Sequence, residues 1–125
     1  MTESIWPALK YGNQPVVTID GERFDSKAEA RRCGELLLLQ RAGAIRELRR
    51  QVRFLLIPSQ RDSAGKVVRE VSYVADFVYK EPVPGAADVW RLIVEDVKGV
   101  RTEAYRLKRK LMLQVHGIDV REFLE

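Results

Sequence analysis

The chain has 125 residues, of which 46% are hydrophobic and 32% are charged, a balance typical of one folded domain rather than a disordered chain. Its single cysteine excludes an internal disulfide, and with one histidine there is no Cys/His cluster for structural zinc. No apolar stretch approaches membrane-spanning length and no signal-peptide pattern opens the sequence, so we expect a cytoplasmic protein without a membrane partner. The formal net charge of +4 suits a polyanionic partner but does not demand one.

The first 24 residues predict an arm and a hairpin. Residues 1–15 show little pattern and are expected to form a loosely attached N-terminal arm. The dipeptide Asp20-Gly21 tolerates the positive φ angles of a tight turn, so residues 16–24 are predicted to form a β-hairpin flap.

The first helix is marked by residues at its two ends. Ser26 suits the N-cap, and Glu29, three residues later, completes a capping box. The helix is predicted to run to about Ala42, with Gly43 as its left-handed stop. Residues 36–39 are all leucine, and this run predicts a helix that is buried on more than one side.

Three strands follow the first helix. Apolar runs and alternation predict the first within residues 45–58, most clearly at 51–57, and the others at 67–79 and 90–98, joined by loops of hairpin length. In the middle strand, regular alternation would place four side chains on one face: Tyr73, Ala75, Phe77 and Tyr79.

A second helix and a last strand complete the chain. Thr102 suits the N-cap of a helix that is predicted to end near His116, before Gly117, and residues 118–123 predict a short strand. The order helix, three strands, helix, strand predicts a single α/β domain over residues 1–125. Its sheet would be an antiparallel three-stranded meander that gains a fourth strand through a helical crossover.

The third strand of the meander ends in charged residues. Asp96 and Lys98 are two apart and share one face of the strand, whereas Glu95 faces the other way. A carboxylate beside an ammonium at a strand end suits metal-assisted phosphodiester cleavage, in which the acid holds a divalent cation and the lysine orients water or stabilises charge on the phosphate. The alternative is an ordinary same-face charge pair, since the spacing Asp/Glu-x-Lys also occurs at Asp25 to Lys27.

Asp76 is the second candidate, because it interrupts an otherwise apolar and aromatic strand. A buried carboxylate needs a cation, hydrogen-bond donors or the end of a sheet to compensate its desolvation. Neighbouring antiparallel strands can bring Asp76 close to Asp96, and two carboxylates form a reasonable site for Mg²⁺. The alternative is an aspartate paired with a nearby arginine.

Four segments taken together resemble the PD-(D/E)XK nuclease superfamily: residues 25–30, Gln51, residues 73–77 and residues 95–99. More narrowly they resemble an uncharacterised phage and prophage family within it, and they are similar to the nuclease domain of TnsA-type transposition proteins. The resemblance implies a restriction-endonuclease-like core and a metal site formed by Glu29, Asp76, Asp96 and Lys98. Ala75 stands where the motif's name has proline, and a bulge could exchange the roles of Glu95 and Asp96.

Other residues are candidates for supporting roles. Gln51 begins a strand and is a candidate contact to the attacking water or a ligand, while Thr102 and Tyr105 would lie near the site on the second helix. Solvated strand and helix positions are the alternatives for these residues. The candidate DNA-backbone contacts are Arg49, Arg50, Arg53, Lys108 and Lys110.

The expected function is that of a Mg²⁺-dependent DNA endonuclease, with Mn²⁺ able to substitute and with phage- or prophage-related DNA processing, on branched or junction DNA, as its setting. Glu29, Asp76 and Asp96 would hold the metal and Lys98 would position the nucleophile. The main alternative is a non-catalytic nucleic-acid-binding module on the same fold, and a third class is a structural partner in phage assembly. The oligomeric state is left open, with a homodimer as one option.

Overall fold

The computed structural model describes residues 16–17, 23–24 and 26–124 of the chain. The predicted arm at 1–15 and the turn at Asp20-Gly21 lie outside these residues, but the strands flanking the turn pair antiparallel as expected. The elements are β1 Val16–Val17, β2 Arg23–Phe24, α1 Lys27–Arg41, β3 Arg46–Ile57, β4 Gln60–Arg61, β5 Val67–Val68, β6 Val71–Pro82, β7 Trp90–Lys98, α2 Glu103–Leu111, a π-helical segment Met112–His116, and β8 Arg121–Leu124.

Helix α1 begins and ends where the sequence predicted. The Ser26 hydroxyl accepts a hydrogen bond from the backbone N–H of Glu29, and Gly43 adopts a φ of 81° just beyond the helix. The prediction that the leucine run is buried on several sides is wrong. Leu36 is buried, whereas Leu37, Leu38 and Leu39 are exposed, because only one face of α1 packs against the sheet.

The main sheet has the strand order β3-β6-β7-β8, so the protein is a mixed α/β domain. Strands β3, β6 and β7 form an antiparallel meander, and β8 joins β7 in parallel after α2 and the π-helical segment. The first predicted strand, β3, lies within the predicted region, and the second is divided into β5 and β6, with β5 pairing with β4 in a small hairpin. Among the described residues, no helix is long and apolar enough to cross a membrane.

Two apolar clusters cover the two faces of the sheet. On the face covered by α2, which we call the α2 face, the cluster includes Tyr73, Val94 and Met112. On the other, the α1 face, it includes Leu36 and Ile93. Because Ile93 and Val94 are consecutive in β7, the two clusters must lie on opposite sides of the sheet. The predicted separation of Asp96 from Glu95 follows from the same alternation.

The expectation that β6 keeps one apolar face throughout is wrong. Tyr73 and Ala75 pack on the α2 face, whereas Phe77 and Tyr79 pack on the α1 face, so the strand changes face at Asp76. A strand with strict alternation would keep residues 75 and 77 on one side.

The neighbouring strand β3 changes face at the same level. Leu48 packs on the α1 face and Val52 on the α2 face, and Gln51 between them has a φ of 52°, a left-handed conformation that is rare outside glycine. The flanking pairs Arg50–Phe77 and Val52–Ala75 place Gln51 opposite Asp76. The irregularity therefore lies at one cross-strand position, where it turns polar side chains out of the apolar pattern.

The helical crossover between β7 and β8 begins and ends at the residues that the sequence predicted. The Thr102 hydroxyl caps α2 by accepting from the backbone N–H of Tyr105 at 3.1 Å. The π-helical segment that follows α2 ends at Gly117, whose φ is 68°. The π-helical turns place Met112 in the core of the α2 face, and the last strand is shorter than predicted, at Arg121–Leu124.

Candidate functional site

A cavity of about 470 Å³ opens on the α2 face where β6 and β7 part. The backbone pairing of the two strands stops at Phe77 and Glu95, one residue short of the two aspartates. The cavity is lined by Gln51, Ser72, Tyr73, Val74, Asp76, Asp96, Lys98, Thr102, Ala104, Tyr105 and Lys108. It therefore collects Asp76, Asp96 and Lys98 from the residues that the sequence singled out for metal and catalysis.

The two aspartates are joined to each other's strands. Oδ1 of Asp96 accepts a hydrogen bond from the backbone N–H of Asp76 at 3.0 Å. Oδ2 of Asp76 accepts one from the backbone N–H of Val97 at 2.9 Å. These contacts replace the ladder hydrogen bonds that the parting strands give up, and they hold the two carboxylates side by side.

Glu29 reaches the aspartates through Gln51. The side chain of Glu29 is buried on α1, and its Oε2 accepts a hydrogen bond from Gln51 Nε2 at 3.0 Å. The same Nε2 lies 3.5 Å from Asp76 Oδ1, and Arg50 Nη2 lies 3.6 Å from Glu29 Oε2. The left-handed conformation of Gln51 thus places an amide between two carboxylates that come from different elements.

The grouping of carboxylates changes the ionisation of Asp76. Burial, the charge of Asp96 and the charge of Glu29, in that order, raise the pKa of Asp76 well above its usual range. Within residues 16–17, 23–24 and 26–124, no three His, Cys, Asp or Glu side chains form a ready-made metal cage. The structure presents a pair of aspartates, with Glu29 one amide away.

Lys98 is held beside the pair. Its Nζ lies 3.1 Å from Asp96 Oδ2 and 4.1 Å from the centre of the Tyr105 ring. The Tyr105 hydroxyl in turn donates to Glu122 Oε2 at 2.8 Å. An ion pair and a cation–π contact therefore fix the ammonium at the wall of the cavity, where Thr102 and Lys108 also lie.

Glu95 lies away from this cavity, so the bulge that would exchange it with Asp96 is absent from β7 as described. Its side chain is fully buried on the α1 face, where Arg32 Nε and Nη2 donate to it at 2.7 and 2.9 Å and the Tyr79 hydroxyl donates at 2.6 Å. A buried carboxylate with three charge-assisted donors is stabilised as a structural anchor between α1 and β7.

The predicted DNA-contacting residues fall into two groups. Two of the three on β3 have partners within the domain: Arg50 stacks on the Phe24 ring at 3.9 Å, and Arg53 is paired with Glu70. Arg49 is exposed on the same strand, while Lys108 lines the candidate site.

Lys110 belongs to a second cavity, of about 300 Å³, which shares Tyr105 as a wall with the first. It is lined by Arg101, Tyr105, Arg106, Arg109, Lys110, Leu113 and Asp119. Glu122 accepts hydrogen bonds from Arg101 and lies 3.5 Å from Arg109, so two of these cations are held in place by one carboxylate. Positive charge therefore borders the acidic cavity on the α2 side.

Tyr73 was missed by sequence reasoning as a site residue, because alternation among aromatic residues indicated core. Burial and the charge of Asp96 raise the pKa of its hydroxyl well above the usual range. The sequence offered no signal for this role, because regular alternation would place Tyr73 and Asp76 on opposite faces of the strand.

A family model described as "Protein of unknown function (DUF1064)" matches residues 8–122. The comparison with curated proteins found no match, and the comparison with solved structures found none.

Proposed function

We propose that this chain, which belongs to the DUF1064 family, is a divalent-metal-dependent endonuclease that hydrolyses DNA phosphodiester bonds. The observation that supports this most is the convergence of Asp76, Asp96 and Lys98 in one cavity, with Glu29 joined to them through Gln51. The family's own description assigns no activity, so the proposal rests on this chemistry and on the resemblance of the motifs to PD-(D/E)XK nucleases.

The donor set fits a hard divalent cation. Asp76 and Asp96 supply oxygen ligands, and Mg²⁺ commonly keeps several waters while it binds one or two carboxylates. Burial and the neighbouring charges of Asp96 and Glu29 raise the pKa of Asp76, and a cation bound at the pair would oppose that rise. Glu29 would complete the site through water or by displacing the Gln51 amide. When bound, Mg²⁺ neutralises charge that develops on the phosphate, and Mn²⁺ would serve in its place.

The chain's own residues supply the remaining functions. The Lys98 ammonium, fixed by Asp96 and Tyr105, is placed to orient the attacking water and to stabilise negative charge on the phosphate. Gln51 holds Glu29 and Asp76 in register across two elements. Water attacks phosphorus and loses a proton to solvent, while the P–O bond to the leaving sugar oxygen breaks and that oxygen takes up a proton. No covalent intermediate with the protein is required.

The sheet supports the proposal at a coarser level. The expected order of elements in a restriction-endonuclease-like core is a helix, an antiparallel meander, a crossover helix and a parallel fourth strand, and this chain has the same order. The basic cavity beside the acidic one suits a phosphate backbone that continues past the cleaved bond. The rival function is a non-catalytic nucleic-acid-binding module, which would use the basic cavity but would not need the acids to converge.

The test is cleavage of supercoiled plasmid in Mg²⁺, in Mn²⁺ and in chelator, followed by a panel of linear, flapped and four-way junction DNA and RNA. Asp76→Asn removes the charge while it keeps a side-chain acceptor for the Val97 N–H. Glu81→Gln is a matched control, since Glu81 lies in the same strand but is bound by Arg91 and Arg121 instead. We expect metal-dependent cleavage by the wild type and by Glu81→Gln, and none by Asp76→Asn. Metal-independent cleavage, or equal rates for Asp76→Asn and wild type, would exclude the proposed reaction.

A further inference from the structure

The hydroxyl of Tyr73 is buried near the Asp96 carboxylate, yet it forms no well-made hydrogen bond within the described part of the domain. The side chain is 3% exposed, and its Oη has no hydrogen-bond partner among the residues that the structure describes. Leaving a buried hydroxyl unsatisfied costs free energy, and phenylalanine would fill the same space without that cost. A donor that is left without a well-made bond at the wall of an open cavity is available to a ligand that enters the cavity.

The position of Tyr73 indicates which partner that is. The residue lines the same cavity as Asp76, Asp96 and Lys98. Its ring lies 6.4 Å, centre to centre, from the ring of Tyr105, on which the Lys98 ammonium rests. A phenol is a neutral donor, so it can face an anionic ligand without adding charge to the cavity.

We propose that the Tyr73 hydroxyl donates a hydrogen bond to a non-bridging oxygen of the phosphodiester bound in this cavity. The assignment rests on the proposed nuclease function, and it adds a substrate-contacting residue that lies outside the acidic and lysine set. The carboxylates would hold the cation, Lys98 would supply positive charge, and Tyr73 would supply a neutral donor that orients the phosphate. A hydrogen bond to a charged acceptor of this kind corresponds to a factor of about 10 to 100 in binding or rate.

The test compares Tyr73→Phe with Tyr79→Phe in the full-length chain. Tyr79 lies in the same strand, but its hydroxyl is used on the α1 face, where it donates to Glu95. Three quantities are measured for each protein: the melting temperature, the Kd for a labelled DNA duplex in Ca²⁺, and the single-turnover cleavage rate in Mg²⁺.

The two variants should behave in opposite ways. Tyr73→Phe should melt at or above the wild-type temperature, because it removes an unsatisfied hydroxyl, yet it should bind or cleave DNA about 10- to 100-fold less well. Tyr79→Phe should melt several degrees lower and, at temperatures where it is folded, cleave like the wild type. This reversal separates a substrate contact from a packing role.

The remaining outcomes also decide the matter. If the wild type cleaves and Tyr73→Phe matches it in both Kd and rate, the assignment of Tyr73 is wrong and the nuclease stands. If the wild type binds DNA without cleaving it under any metal, the nuclease proposal fails, and Tyr73 is judged from Kd alone: weaker binding by Tyr73→Phe supports the contact, and equal binding overturns it. A wild type that neither binds nor cleaves DNA overturns both.

Discussion

The carboxylate of Asp96 and the backbone N–H of Asp76 are 3.0 Å apart, and the Asp76 carboxylate returns a similar contact to the strand of Asp96. The two aspartates are therefore structural and electrostatic elements at once. They close the gap between β6 and β7, and they bring two negative charges into one cavity. This double role shapes what their substitution should do.

Asp76→Asn should separate the two roles. The folded protein raises the pKa of Asp76 above its ordinary value of 3.8, so the unfolded chain releases this proton first as the pH rises. The contribution of Asp76 to stability is thus present below the ordinary Asp range and is lost as the pH rises through the raised pKa. In the absence of metal, the free energy of unfolding of Asp76→Asn should increase relative to that of the wild type as the pH rises from 4 to 8. Denaturant unfolding measures this difference.

Adding Mg²⁺ should offset the stability advantage of Asp76→Asn over the wild type, because the cation stabilises only the protein that binds it. At pH 8 it should raise the unfolding free energy of the wild type and leave that of Asp76→Asn unchanged. An equal gain for both proteins would place the cation elsewhere.

Lys98→Ala should uncouple cleavage from metal binding. Removing a cation 3.1 Å from Asp96 should leave metal affinity unchanged or higher, since a charge repulsion is gone. Single-turnover cleavage should fall by about 10²- to 10³-fold, as when a positioned electrostatic group is lost. Lys98→Arg should not restore it, because the guanidinium is broader and does not release a proton. Lys80→Ala, which removes a lysine paired with Glu47, is the control that should cleave normally. A wild-type cleavage rate for Lys98→Ala would show that Lys98 only pairs with Asp96 and has no role in cleavage.

Two substitutions of Gln51 should separate the role of its side chain from the strain of its left-handed backbone conformation. Both Gln51→Gly and Gln51→Ala remove the amide that joins Glu29 to Asp76, so both should cleave about 10-fold more slowly. Glycine accepts a φ of 52° without strain, so Gln51→Gly should be about 1 kcal/mol more stable than Gln51→Ala. Glu47, with a φ of 59° in the same strand, provides the control: Glu47→Gly should gain stability without losing activity. Equal activity of the wild type and Gln51→Gly would show that the amide is dispensable.

The basic cavity should carry DNA phosphates. Arg106→Ala and Lys110→Ala should each weaken DNA binding alike for all sequences, and each should lower the slope of log K against log salt by about one unit. Arg91→Ala is the matched control, since Arg91 is bound to Glu81 at the opposite end of β7. Filter binding over a salt series gives the slopes, and unchanged slopes for the first two variants would make this cavity ordinary surface.

The sequence was sufficient where the signal is local or periodic. Ser26 and Gly43 bracket α1, and the two-residue spacing places Asp96 and Lys98 together while turning Glu95 away, as the structure has them. Element order also predicted the sheet, because hairpin-length loops allow antiparallel neighbours and the crossover helix forces a parallel one.

The change of face at Gln51 and Asp76 could not be predicted. A left-handed φ is usually signalled by glycine or asparagine, and neither stands at Gln51. The aromatic spacing of β6 looked regular on both sides of Asp76, so Tyr73 was assigned to the same face as Phe77. The exposure of Leu37 to Leu39 depends on how much of α1 the sheet covers, which is a tertiary property that composition does not encode.

The most direct test of the account is a Mn²⁺ titration, followed by electron paramagnetic resonance, of the wild type, Asp76→Asn and Glu81→Gln. If Asp76 and Asp96 form a cation site, the wild type and Glu81→Gln should bind Mn²⁺ with the same Kd, and Asp76→Asn should bind it at least 10-fold more weakly. Equal Mn²⁺ affinity of Asp76→Asn and the wild type, or no binding by any of the three, would contradict the metal site and the nuclease built on it.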